Sequence, residues 1–184
     1  MKAATGAGEA QTVAAVAQSL EKIVNAKKEL LEDVIACEGP AATYGALSTL
    51  SSKAKAALPC LQLLHFLLLE KKNCEEPSLC DFAPLLGLLE ENFAGVMGRY
   101  IRDAALRLIL ALITAIPAYL YRLRSALKTQ SLKGLANSLE RSVLDPSEID
   151  VKSLSMAVEV LSMVLSGSEF SRSLSDDGRV LLLK

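Results

Sequence analysis

The stretch LRLILALITAIPAYLYRLR, residues 106–124, decides how this chain is read. Fourteen consecutive residues, 108–121, carry no charge; arginines bracket them, and a single proline, Pro117, interrupts the run. A membrane-crossing helix needs about 20 apolar residues, whereas runs of roughly 10–14 belong more often to buried core helices. Extension toward the N-terminus meets Arg107, then Asp103 and Arg102, and the arginines at both ends give no asymmetry that would orient a span. The stretch is therefore expected to be the central helix of a bundle, bent at Pro117, which cannot donate a backbone hydrogen bond. A helix that is apolar on every face needs neighbours all around it.

The rest of the chain can supply them. Of 184 residues 51% are apolar, with four Phe, four Tyr and no Trp, so the apolar mass is aliphatic and rich in the strong helix formers Leu and Ala. Strict alternation, the mark of a strand, is nearly absent. The expected class is all-α, a single-domain bundle of about six to eight helices around the apolar central helix. Residues 1–8 are small and expected to be disordered, residues 9–167 form the bundle, and residues 168–184 are a C-terminal tail.

Helical rhythm places most elements. Val13, Val16, Leu20, Ile23, Leu30 and Val34 follow a 3-4 spacing across residues 9–38, interrupted by Lys27 and Lys28, and Gly39 before Pro40 suits a C-terminal stop. A second helix is expected over residues 41–58, with Pro59 marking a kink or the first turn of a third, PCLQLLHFLLLEKK, which is apolar nearly all round. The loop NCEEPS leads to a fourth helix starting near Asp81, with Pro84 in its first turn, that runs through LLGLLEENFAGVMGRY. Beyond the opening stretch come a short helix ending near Val143, the break DPSE, and a helix over residues 147–166 with Leu154, Val158, Leu161 and Leu165 on one face and Gly167 as its stop.

The formal net charge of −1 gives no bulk attraction for nucleic acid, so no nucleic-acid partner is expected. Charge is nevertheless segregated. Residues 96–133 hold Arg99, Arg102, Arg107, Arg122, Arg124, Lys128 and Lys133 against Asp103 alone, and residues 69–92 are acidic. Such blocks pair across a bundle or face solvent. Arg107 sits in the apolar run and needs an acceptor; Asp103, one turn earlier, is the nearest, with Glu90 and Glu91 as alternatives.

No motif points to an enzyme, and no catalytic residue, cofactor or metal site is expected. The single histidine, His65, has apolar neighbours in LQLLHFLLLE and reads as a hydrogen-bonded core residue rather than a base. Cys37, Cys60, Cys74 and Cys80 form no C-x-x-C pair and match no zinc spacing, so they are expected to be buried, reduced thiols. The first 18 residues lack a continuous apolar core, so secretion is not expected; a cytoplasmic setting is, without excluding the nucleus. Tyr119 and Tyr121, followed by Arg122 and Arg124, are the candidate interaction or membrane edge, where aromatic rings meet basic residues.

The segment NFAGVMGRYIRDAALRLILALITAIP, with Tyr100, its basic residues and its closing proline, resembles the corresponding helix of glycolipid transfer proteins over about a seventh of the chain. Those are two-layer all-α proteins that hold one lipid, so the resemblance implies a lipid-binding or lipid-transfer alternative, or reversible membrane association. That family's headgroup site uses Asp, Asn, Lys, Trp and His, whereas this chain has no Trp and carries Ile101 where the His would fall. The leading expectation is a non-enzymatic helical module that binds another protein, such as an adaptor or a subunit of a larger assembly; an apolar end such as GRVLLLK fits a partner surface.

Overall fold

The computed structural model describes residues 2–50, 54–68, 74–75, 77–91, 95–127 and 151–166. Among them are eight α-helices and no strand: α1 (Lys2–Ala26), α2 (Leu30–Ala36), α3 (Gly39–Leu50), α4 (Ala54–Leu67), α5 (Ala83–Glu90), α6 (Gly95–Ala115), α7 (Ala118–Ala126) and α8 (Val151–Leu165). A 3-10 turn, Pro77–Cys80, precedes α5. The all-α bundle is what the composition predicts. The short helix near Val143, the DPSE break, residues 73 and 76 of the NCEEPS loop and the tail 168–184 lie outside the described residues.

Two helices form the centre. α4 packs against α1, α3 and α6, and α6 packs against α4, α5, α7 and α8. Leu61, Leu64 and Leu67 of α4 share one buried cluster with Ile101, Leu108, Ile109 and Leu112 of α6, Leu85 and Leu89 of α5, and Val160 and Val164 of α8. Burying each such side chain contributes about 1.5–3 kcal/mol relative to exposure, which is why these helices hold together. Among the described residues no helix is long and apolar enough to cross a membrane.

The expected boundaries shift for identifiable reasons. α1 begins at Lys2, so residues 2–8, expected to be disordered, are helical; their alanines favour helix more than Gly6 and Gly8 oppose it. The first helix does not continue to Glu38. It stops at Ala26, and exposed Lys27, Lys28 and Glu29 make a turn in which Leu30 N–H donates to Lys27 O at 3.0 Å. Its buried face is also different: Ala10, Ala17 and Val24 are buried, whereas Val16 and Ile23 are about half exposed, at 53% and 49%. Small residues let α1 lie close against α4, and the bulkier stripe is left outside.

Gly39 is not a C-cap. Glu38 takes the left-handed conformation, φ 56°, and Gly39 opens α3, with Pro40 in the first turn where its missing N–H costs nothing. A β-carbon on Gly39 would lie 2.5 Å from the Val34 carbonyl oxygen, so close approach to α2 requires the glycine. Pro59 lies inside α4 rather than at its start. α5 begins as expected, with Asp81 Oδ1 accepting the Ala83 N–H at 3.0 Å and Pro84 in the first turn. It ends at Glu90, where Glu91 turns extended, and the expected continuation to Tyr100 belongs to α6. Pro117 divides the opening stretch into α6 and α7. In α8 the buried face is Met156, Ala157, Val160, Leu161 and Val164, and Val158 faces outward.

Candidate functional site

Two stripes of side chains, one from each central helix, leave a groove open between them. On α4 these are Leu58, Gln62 and His65, at i, i+4 and i+7; on α6, Tyr100, Asp103 and Ala104, Arg107, Leu110 and Ala111, and Thr114 continue the same spacing. One hollow of about 400 Å³ lies among His65, Leu68, Cys74, Arg107, Leu110, Ala111, Thr114 and Ala115. A narrower one of about 140 Å³ lies among Leu58, Leu61, Gln62, His65, Tyr100, Asp103, Ala104 and Arg107. His65 and Arg107 line both and mark the junction. The central helix is thus caged by its neighbours but keeps this open stripe.

At the junction Arg107 Nη2 donates to Asp103 Oδ2 at 2.6 Å, the i,i+4 partner expected from the sequence; Glu90 and Glu91 face solvent instead. The two side chains are 36% and 17% exposed. Arg107 Nε is buried and finds no acceptor among the described residues. A guanidinium carries five N–H donors, so most of this fork is unspent.

His65 is half-buried and lines the groove, which corrects its reading as a core residue; among the described residues no hydrogen bond holds its ring. Burial lowers its pKa, Arg107 lowers it further, and Asp103 opposes both, so the imidazole is neutral at neutral pH. Cys74 closes the lower end. Its buried Sγ donates to Leu68 O at 3.7 Å, and burial pushes the thiol upward. At the upper end Arg99 lies over the Tyr100 ring, 5.6 Å from its centroid, beside exposed Val96 and Met97.

The four residues of the expected edge separate into two pairs. Tyr119 is half-buried: its hydroxyl donates to Cys74 O at 3.1 Å, and its ring meets Phe82 edge-on at 6.4 Å. Arg124 reaches α8, where Nε donates to Val164 O at 3.0 Å and Nη2 to Met163 O at 2.9 Å and to Ser166 Oγ at 3.4 Å. The last carbonyls of a helix have no partner within it and carry partial negative charge, so the guanidinium of α7 caps α8. Tyr121, 74% exposed, and Arg122 remain on the surface.

Elsewhere, Cys60 is buried and its thiol is pushed up to about 11 by that burial, whereas Cys37 is exposed rather than buried. All four cysteines are free thiols. Among the described residues no group of three or more His, Cys, Asp or Glu is placed to hold a metal. A hollow of about 600 Å³ follows the uncharged face of α1 from Gly8 to Ile23, and no titratable side chain of the described residues lines it. The α4–α6 groove differs in combining apolar walls with charge. No protein-family model, curated protein or solved structure matches this chain, so the likeness to glycolipid transfer proteins gains no support from them.

Proposed function

We propose that this chain is a non-enzymatic protein-interaction module of the cytoplasm, an adaptor or assembly subunit that docks its partner in the α4–α6 groove. The observation that carries the reading is a pair of adjoining open hollows, largely apolar, that follow the central helix from Tyr100 to Ala115, roughly 22 Å at 1.5 Å per residue. Val96, Met97 and Tyr100 at one end are 51%, 41% and 51% exposed, a cluster of large apolar side chains of the kind that marks partner surfaces. Reduced, partly buried thiols fit the compartment.

The alternative, a lipid chain held between helices, draws on the same apolar hollow of about 400 Å³. The protein reading is preferred because the hollow is a surface groove, while the interior between α4 and α6 is filled by Leu61, Leu64, Leu108 and Leu112. A photoreactive amino acid placed at Tyr100 tests the choice. The expected result is one cross-linked protein species that disappears when Leu58→Glu is added. A strictly monomeric protein with no cross-linked partner, carrying a copurified lipid in native mass spectrometry, would replace this reading with the alternative.

A further inference from the structure

We infer that the occupant of the α4–α6 groove is an amphipathic helix of a partner protein whose apolar face carries one carboxylate, seated on the Arg107 guanidinium. The inference rests on the docking-surface reading above and adds the chemistry of the partner.

The shape of the groove fits a helix. Roughly 22 Å of groove corresponds to about four helical turns, and its apolar ends, Tyr100 above and Leu110 with Ala111 below, suit anchors at i, i+3, i+4 and i+7. Its middle is different. Arg107 has five donors and, among the described residues, one acceptor, and its Nε is already buried without one. A wholly apolar helix closing over this point would remove water from the remaining N–H groups and return nothing, which disfavours binding. A carboxylate on that helix would instead accept from the unspent fork, a geometry guanidinium groups favour.

Charge around the groove selects the same partner. α6 brings Arg99, Arg102 and Arg107 with Asp103 as its one acid, and α4 contributes no acid at all. Of those charges Arg99 lies over Tyr100 at the mouth, and Arg107 lies at the centre. At the lining itself Arg107 is paired with Asp103, so the surplus on α6, three arginines against one acid, is what favours the approach of an acidic segment.

A displayed library of 18-residue helical peptides, with a Leu and Ala face and every position of that face randomised in turn, is selected on the full chain. The selected peptides are expected to converge on Asp or Glu at one position. Changing that acid to Gln should weaken binding about tenfold or more, and Arg107→Met should abolish the difference between the two peptides. If Arg107→Met does not fold, Arg107→Lys, which keeps the charge but loses the fork, should show a reduced preference. Peptides that lose affinity with Tyr100→Glu but show no acidic preference would overturn the carboxylate while leaving the docking surface intact. Peptides indifferent to Tyr100→Glu would overturn both. Arg107-dependent binding to phosphatidylcholine vesicles containing phosphatidic acid, with no peptide selected, would assign the groove to a lipid instead.

Discussion

Among the described residues, Arg124 donates to three oxygens at the end of α8, while Arg107, on the other side of Pro117 in the same apolar stretch, donates to one. The residue types are identical and the neighbouring sequence is alike, but their environments have little in common. Arg124 has a matched set of acceptors, because the C-terminus of a helix ends in unpaired carbonyls. Arg107 has an ion pair with its own helix and a buried Nε that finds no acceptor among the described residues. A satisfied arginine is a fastening, whereas the one beside the open groove is, in our proposal, the seat of a partner's carboxylate.

Stability measurements can break this comparison. The largest effect is expected from Arg124→Met, which removes the guanidinium donor from the Val164 carbonyl, leaves Met163 O to the Ser166 hydroxyl alone, and removes a cation from a helix C-terminus. The cost should be about 2–3 kcal/mol in urea unfolding, with peptide binding at the groove unchanged. A loss below about 0.5 kcal/mol would mean that water serves those carbonyls equally well. Next comes the pair at the groove. Asp103→Ala strands Arg107 and should cost about 1–2 kcal/mol, whereas Arg107→Met, which removes the charge and keeps the length, should stay within about 0.5 kcal/mol. Equal and negligible effects from both would show that solvent serves the guanidinium and that the ion pair contributes nothing.

A smaller effect sharpens the electrostatics of the same site. The folded-state pKa of His65 is lowered, so the unfolded chain takes up its proton first as pH falls through 6.5. Its contribution is therefore complete above that pH and lost below it. Stability measured from pH 8 down to pH 5 should decline less steeply in His65→Gln than in the parent, and an unchanged slope would remove His65 from the account. The smallest effect is expected on the outer surface of α7, where Tyr121→Ser and Arg122→Ser should each change stability by no more than about 0.5 kcal/mol and leave groove binding alone. A loss of peptide binding from either would restore the aromatic-basic edge as part of the interface.

The bundle was legible in the sequence because its signals are strong and local: a charge-free run too short to span a membrane, leucine spacing, and Pro84 in a first turn. The Asp103–Arg107 pair was legible for the same reason, as neighbours one turn apart. Packing faces were harder to read. In α1 the bulky stripe of Val16 with Ile23 points outward and Ala10 and Ala17 lie in the core, because close approach of two backbones selects small residues that a hydrophobicity pattern underweights; in α8 Val158 points outward while Met156, Val160, Leu161 and Val164 are buried. Gly39 misled in a related way, its role being clearance from Val34 rather than an unusual φ. The groove itself left one faint trace, Gln62 three residues before His65 in the otherwise apolar stretch 56–67, which marks an outward stripe. Which helix lies across from that stripe is a property of the tertiary fold, as is the distant capping by Arg124.

The bonds of Tyr119 and Arg124 also make α7 intolerant of a change in length. Tyr119 fastens its first turn to the chain at Cys74, and Arg124 fastens its last turn to the end of α8, so this nine-residue helix is a tie-rod cut to one size. A single alanine inserted after Leu120 would rotate one fastening about 100° relative to the other, because each residue adds that angle to a helix. One of the two attachments must then be released, and thermal unfolding should move down accordingly. The same insertion in the exposed turn at Lys28 changes only the length of a connection between α1 and α2, and should leave the melting temperature nearly where it was.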